Sequence, residues 1–322
     1  MGPVRRLQGV LPVIGMGFAR AELRYFQDRQ YFLEKLYTVI WRMGVRTVHI
    51  GKRLGISGQF EGFVERIALW LVPVPREEVV VSIGAGAQLI VPPGLLRART
   101  YASGVYEQKV TRVFQVLVAR GMTVVDVGAF CGYYTLFASR LVGDLGRVYA
   151  FEAGPGNYSY LVRNTLANGC RNVTLVNKAI SNKTGMGTLT LHKEADHCWL
   201  STPGTTRSEA TIAVKTVTLD DFFEAEGWPS IDVVKMDIEG SEKVSLEGMK
   251  ELSRRNPRMQ LIMEFDLTNI LRAGTTREDL ADTLQALGYR TGYVIEMDMK
   301  SFEVARGLPK TGISLNLLLK KD

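Results

Sequence analysis

From Thr123 onward the chain alternates between short, largely apolar strand-like runs and longer stretches whose apolar positions fall three and four apart. The runs Val124–Val127, Val148–Phe151, Val173–Asn177, Ile231–Met236 and Leu261–Phe265 read as buried strands. Between them Tyr134–Leu141, Asn157–Ala167, Leu219–Glu226, Glu242–Ser253 and Arg277–Leu287 read as helices. Such alternation predicts an α/β fold, a doubly wound and mostly parallel sheet covered on both faces. Arg290–Met297 and Ile313–Lys320 follow with no helix between them. They predict an antiparallel C-terminal hairpin at the sheet edge, making seven strands.

Upstream the pattern differs. Val79–Ser82 and Gln88–Val91 flank G-A-G-A and predict a β-hairpin, ended by Pro92-Pro93-Gly94. Val105–Arg120 reads as an amphipathic helix, and residues 20–72 as helical pieces broken by glycines 44, 51, 55 and 58. His192–Glu209 is polar and without period, so it reads as a loop over one end of the sheet. The expected organisation is an N-terminal basic helical extension over 1–76, a hairpin and linker over 77–100, and the α/β domain over 101–322.

Charge sharpens this division. The 322 residues carry a net +7. Residues 1–75 hold 11 Lys+Arg against 5 Asp+Glu, so +6 of that total lies in the extension. Such a segment suits an acidic membrane surface, a nucleic acid or an anionic substrate. The three cysteines, Cys131, Cys170 and Cys198, form no C-x-x-C pair, which points to neither a disulfide framework nor a zinc site and fits a cytoplasmic setting. Arg5-Arg6 precede an apolar run, Leu7–Ala19, that Pro12 and three glycines interrupt, a poor signal peptide. No run reaches the ~18–20 apolar residues of a membrane span. Gly62–Pro75 is apolar enough for peripheral membrane contact, centred on Phe63–Val74.

In a doubly wound sheet ligands collect at the carboxyl ends of the strands. Here those ends are Asp126, Glu152, Asn177–Lys178, Asp237 and Glu264–Asp266, most of them acids. The first strand runs into a glycine turn, Gly128 to Gly132, and then a helix, which predicts backbone N–H groups facing a nucleotide-like ligand. Glu152 follows about 20 residues later, at the spacing of an acid that accepts both hydroxyls of a ribose.

The blocks D-V-G-A-F-C-G-Y-Y-T, F-E-A-G-P-G-N-Y-S-Y-L-V-R-N, V-N-K-A-I-S-N-K-T-G, L-D-D-F and I-D-V-V-K-M-D-I-E-G-S-E resemble, in that order, the FkbM-type methyltransferases. The resemblance covers roughly residues 104–320. It implies a class I methyltransferase-like fold, S-adenosylmethionine as cofactor, and O-methylation of a hydroxyl on a sugar, glycan, glycolipid or natural product. It places the cofactor against Asp126, Gly128, Ala129, Phe130, Gly132 and Tyr133, against Glu152, and against Ala179, Ser181, Asn182 and Asp237. This chain has Phe130 where the family usually has Asn, Ala153 where it often has Pro, and Asn182 in place of an acid. The family also commonly shows a His near the position of Asp266.

Methyl transfer from a sulfonium is an in-line displacement, and an alcohol acceptor must lose its proton. Lys235 and Asp237 share a strand face, so Asp237 is the candidate base, with Lys235, Glu239 and His197 as further catalytic candidates. Tyr106, Glu107, Glu264 and Asp266 are candidate acceptor contacts. Clustered carboxylates also suit Mg2+, although no metal ligand is singled out. The expected partner is a small-molecule or glycan acceptor, with a homo-oligomer compatible. The alternative is a nucleic-acid methyltransferase or binding module that uses the basic extension.

Overall fold

The computed structural model describes residues 78–93, 100–101, 106–191, 198–200, 210–310 and 313–321. The helical reading of residues 20–72 and the apolar patch Gly62–Pro75 lie outside the described residues, as does His197. Val74–Asp322 form a compact unit of their own.

The unit opens with an antiparallel hairpin of β1 (Val79–Ile83) and β2 (Ala87–Val91), then α1 (Gln108–Leu117). The βα repeats follow: β3 (Thr123–Val127), α2 (Tyr133–Val142), β4 (Arg147–Phe151), α3 (Pro155–Ala167) and β5 (Val173–Val176). Four further strands come next: β6 (Ala179–Ile180), β7 (Gly185–Leu191), β8 (Cys198–Leu200) and β9 (Ala210–Val217). After α4 (Leu219–Ala225) come β10 (Val233–Met236), α5 (Glu242–Glu247), α6 (Lys250–Arg255) and β11 (Gln260–Phe265). The described chain closes with α7 (Leu267–Arg272), α8 (Arg277–Ala286), β12 (Tyr289–Val294), β13 (Lys300–Glu303) and β14 (Leu315–Lys321).

The main sheet has the order β13-β12-β14-β11-β10-β3-β4-β5. The strands from β11 to β5 run parallel, and β14, β12 and β13 pair antiparallel. Strand alternation sorts its side chains into two cores. Val124, Val148, Val233 and Ile262 pack with Val110, Phe114 and Phe137 beneath the hairpin, α1 and α2. Val125, Tyr149, Val234 and Leu261 pack with Phe223, Leu246, Leu252 and Leu284 on the opposite face. Val124 and Val125 are both fully buried, and each such burial contributes about 1.5–3 kcal/mol. The doubly wound, mostly parallel α/β fold is therefore as the pattern predicts.

Four details differ from the sequence reading. The C-terminal pair does not sit together at the edge: β14 enters between β12 and β11, because its run Leu315–Leu319 is buried on both faces and needs neighbours on both sides. A short strand, β13, takes the edge and makes the sheet eight-stranded. Between β5 and α4, β6, β9, β7 and β8 form a second, four-stranded sheet; of the loop expected over His192–Glu209 only Cys198–Leu200 lies within the described residues, and it is the strand β8. Finally, the helix expected over Glu242–Ser253 is two helices. Gly248 separates them, where a Cβ would stand 2.2 Å from the Ser181 carbonyl oxygen.

Candidate active site

A cleft opens at the carboxyl ends of β3, β4 and β10, with about 860 Å³ of empty space counting the solvent at its mouth. Asp126 to Phe130, Phe151 to Ala153 and Asn157 form one side, and Lys178 to Ile180, with Leu189 and Leu200 of the second sheet, another. Lys235 and Asp237 to Glu239 also line it, as do Tyr101, Tyr106, Tyr133 and Tyr134.

The glycine turn works differently from the expectation. The N–H groups of Gly128 and Ala129 donate to the Phe151 carbonyl at 3.0 and 2.9 Å, and that of Gly132 donates to the Ala129 carbonyl at 2.8 Å. The Phe130 N–H donates to Glu152 Oε2 at 2.9 Å. These four donors are satisfied within the protein. Gly128 is required for another reason: at φ +84, a Cβ would lie 1.9 Å from the Asp237 carbonyl oxygen. Gly132 packs on Leu161 and does not line the cleft.

Glu152 is held from both oxygens, with Oε1 accepting the Gly154 N–H at 2.8 Å. It is buried, and burial raises its carboxyl to about 7 despite the donors Gly154, Phe130 and Asn157. Asp126 accepts the Thr135 hydroxyl at 2.6 Å through Oδ2. Its buried Oδ1 has no hydrogen-bond partner among the described residues. Burial raises its carboxyl too, against the field of Lys235.

Lys235 pairs in register with Asp126 across β10 and β3. Its ammonium donates to Asp237 Oδ2 at 3.0 Å and lies 4.4 Å from the centroid of the Tyr134 ring. Burial works against its charge, but Asp237, Glu107 and Asp126 outweigh burial, and its pKa is raised. The Tyr134 hydroxyl in turn donates to Glu107 Oε2 at 2.6 Å.

Carboxylate oxygens of Asp237, Glu239 and Glu264 lie within 4.8 Å of one another, the one such group among the described residues. Each has a protein donor. Lys235 holds Asp237, Asn269 Nδ2 donates to Glu239 at 2.8 Å, and the Ser314 hydroxyl donates to Glu264 at 3.1 Å. Burial, with Asp237, Glu239 and Glu242 nearby, raises the Glu264 carboxyl well above its ordinary range.

Of the other sequence candidates, Ala129, Phe130, Tyr133, Ala179 and Tyr106 line the cleft. Ser181 and Asn182 do not: the Ser181 carbonyl packs against Gly248, and the Asn182 amide donates to Glu247 at 2.8 Å. Glu107 stands behind Tyr134, outside the lining. Asp266 is a helix cap, accepting the Asn269 N–H at 3.0 Å, and is outside the lining as well. Sequence reasoning placed Lys178 at a strand end without giving it a role, and missed Asn157 and Ser241. Each stands within a few residues of a strand end, which is the signal that was available.

The residues present fit a cofactor with a ribose and an amino group, since the cleft holds a fixed buried carboxylate and a second one with an orphaned oxygen. The methyltransferase FkbM domain matches residues 126–291 of the chain. That is just over half of its length, and the chain belongs to this family. It is a methyltransferase. Solved structures of similar fold include methyltransferase FkbM from Methylobacillus flagellatus KT, with 16% identity over 70% of this chain and 53% of that one and a TM-score of 0.40. A SAM-dependent methyltransferase from Aquifex aeolicus shares 19% identity over 66% of this chain and 87% of that one, with a TM-score of 0.38. A SAM-dependent O-methyltransferase from Thermotoga maritima shares 15% identity over 77% and 78%, with a TM-score of 0.40. Comparison with curated proteins gives no match.

Proposed function

We propose that this chain O-methylates a hydroxyl of a sugar, glycan, glycolipid or natural product. The observation that carries the reading is the Lys235–Asp237 pair, at 3.0 Å, in the wall of the same cleft as Glu152 and Asp126. Bound there, S-adenosylmethionine supplies a sulfonium-activated methyl group. In this reading Glu152 accepts the ribose hydroxyls and the orphaned Asp126 oxygen faces the amino-acid end. Asp237 takes the proton that an acceptor hydroxyl must lose, a role worth roughly 10²–10⁴-fold in rate.

The charge of the walls supports a neutral acceptor. Asp126, Glu152, Asp237 and Glu239 face the cleft against two cations, Lys178 and Lys235. A phosphate-bearing acceptor meets repulsion there. The basic residues 1–75 favour the second reading, a nucleic-acid acceptor, and equally support contact with an anionic membrane surface. Magnesium is left out of the proposal, because the Lys235 ammonium already balances the Asp237 carboxylate and burial pushes the Glu264 carboxyl toward its protonated form. Transfer undiminished by EDTA is expected.

The test supplies methyl-labelled S-adenosylmethionine to the purified protein with a cell extract separated into RNA, lipid and neutral-glycan fractions. Label in the glycan or glycolipid fraction supports the reading. Label confined to RNA replaces it with the second.

A further inference from the structure

Deepening this function, we infer that Lys235 is a positioning residue: it aims the Asp237 carboxylate and does not itself touch the acceptor. Its ammonium is enclosed. The side chain is 3% exposed, Asp237 accepts from it at 3.0 Å, and the Tyr134 ring covers it at 4.4 Å. Asp126 stands beside it in register on β3, and Glu107 adds to its field from beyond Tyr134. A buried ammonium is tolerated only with such partners. Asp237, by contrast, has a side chain that is 16% exposed and lies just past the strand end, lining the cleft. The pair is therefore asymmetric: the cation is sealed in and the carboxylate reaches the space where ligands sit. Asp126 feels the field of Lys235 but is held by the Thr135 hydroxyl, so the direct contact of the cation is with Asp237.

This inference rests on the reading of Asp237 as base, and the experiment separates the two. Lys235→Met, Asp237→Asn and the double variant are compared for label transfer to the neutral-glycan fraction and for S-adenosylhomocysteine affinity by calorimetry. Lys235→Met is expected to slow transfer on the order of 100-fold, the penalty of a misplaced group, with cofactor affinity within about threefold. In the Asp237→Asn background the same change is expected to slow transfer by less than about threefold, because a residue that acts through another is non-additive with it. Lys235→Met at the wild-type rate overturns the inference, as does loss of cofactor binding in step with rate, or multiplicative losses in the double variant. If Lys235→Met alone does not fold, the double variant, which removes both charges together, is compared with Asp237→Asn. Failure of the double variant to fold also overturns the inference, since Lys235 then holds the sheet end. Asp237→Asn at the wild-type rate sinks the base assignment itself, and absence of wild-type transfer sinks both.

Discussion

At the residue scale the decisive group is Glu152. A carboxylate that accepts two backbone N–H groups would ordinarily titrate low, yet burial wins and the group titrates at about 7. Linkage gives the sign of the consequence. Between its ordinary 4.5 and about 7 the native state binds a proton that the unfolded chain does not, so the ligand-free fold loses stability from this group as pH rises through that window. A ribose diol donates to the ionised form, so binding runs the other way. S-adenosylhomocysteine should bind roughly tenfold more tightly at pH 8 than at pH 6 and release a proton below pH 7, in calorimetry with two buffers of different ionisation enthalpy. Glu152→Gln should bind more weakly and flatten the dependence. A wild-type affinity that does not change with pH would place the diol elsewhere. Phe130, beside Glu152, adopts φ +52, a region that suits Asn better than a bulky side chain, so its departure from the family pattern leaves local strain at the cleft.

At the scale of elements the critical contact is the turn after β3 against the end of β10. Gly128→Ala puts a methyl group against the Asp237 carbonyl at a left-handed position. It should cost about 3 kcal/mol or more and weaken cofactor binding, since the loop carrying Asp237 must move. Gly86→Ala is the control: it also has positive φ, +70, but open space around it, so thermal unfolding should show a loss of only about 1–2 kcal/mol. Equal losses would mean that conformation, and not the contact, makes Gly128 necessary. The same physics decides how far the sequence was legible. Val148–Phe151 was readable because a strand buried on both faces leaves an unbroken apolar run, and Val124–Val127 because Asp126 is its one polar residue. β7 was not: only two of its seven residues are buried, and it gains order from pairing with β9 along seven positions. The place of β14 was hidden because strand order is a long-range property, and so was the fate of the turn N–H groups, which depends on the approach of Phe151. The acids at the strand ends were legible as residues. Which of them reach the cleft was not: Asp266 is drawn away as the cap of α7, whereas Asp237 has no helix start to satisfy and turns to the cleft.

At the scale of the whole molecule, attraction and chemistry are separated along the sequence. Residues 1–75 hold +6 of the net +7, while among the described residues the charged groups of the cleft lie between Asp126 and Glu239. A polyanion that reached the site would be drawn by the first segment and repelled by the second. An anionic surface has no such conflict, because it needs to meet only the extension and can leave the acceptor hydroxyl to the cleft. Each Lys or Arg near an anionic leaflet contributes about 1 kcal/mol, and that attraction fades beyond a Debye length of about 8 Å at physiological salt. The full chain should therefore float with vesicles containing phosphatidylglycerol at low ionic strength and release at high salt. The protein beginning at Val74, where the compact unit starts, should fail to float yet bind S-adenosylhomocysteine within about threefold of the full chain. If the shortened protein still floats, the membrane contact belongs to the α/β unit. If its cofactor affinity collapses, the extension is part of the site, and charge is then a secondary feature of a segment whose main work is to complete the cleft.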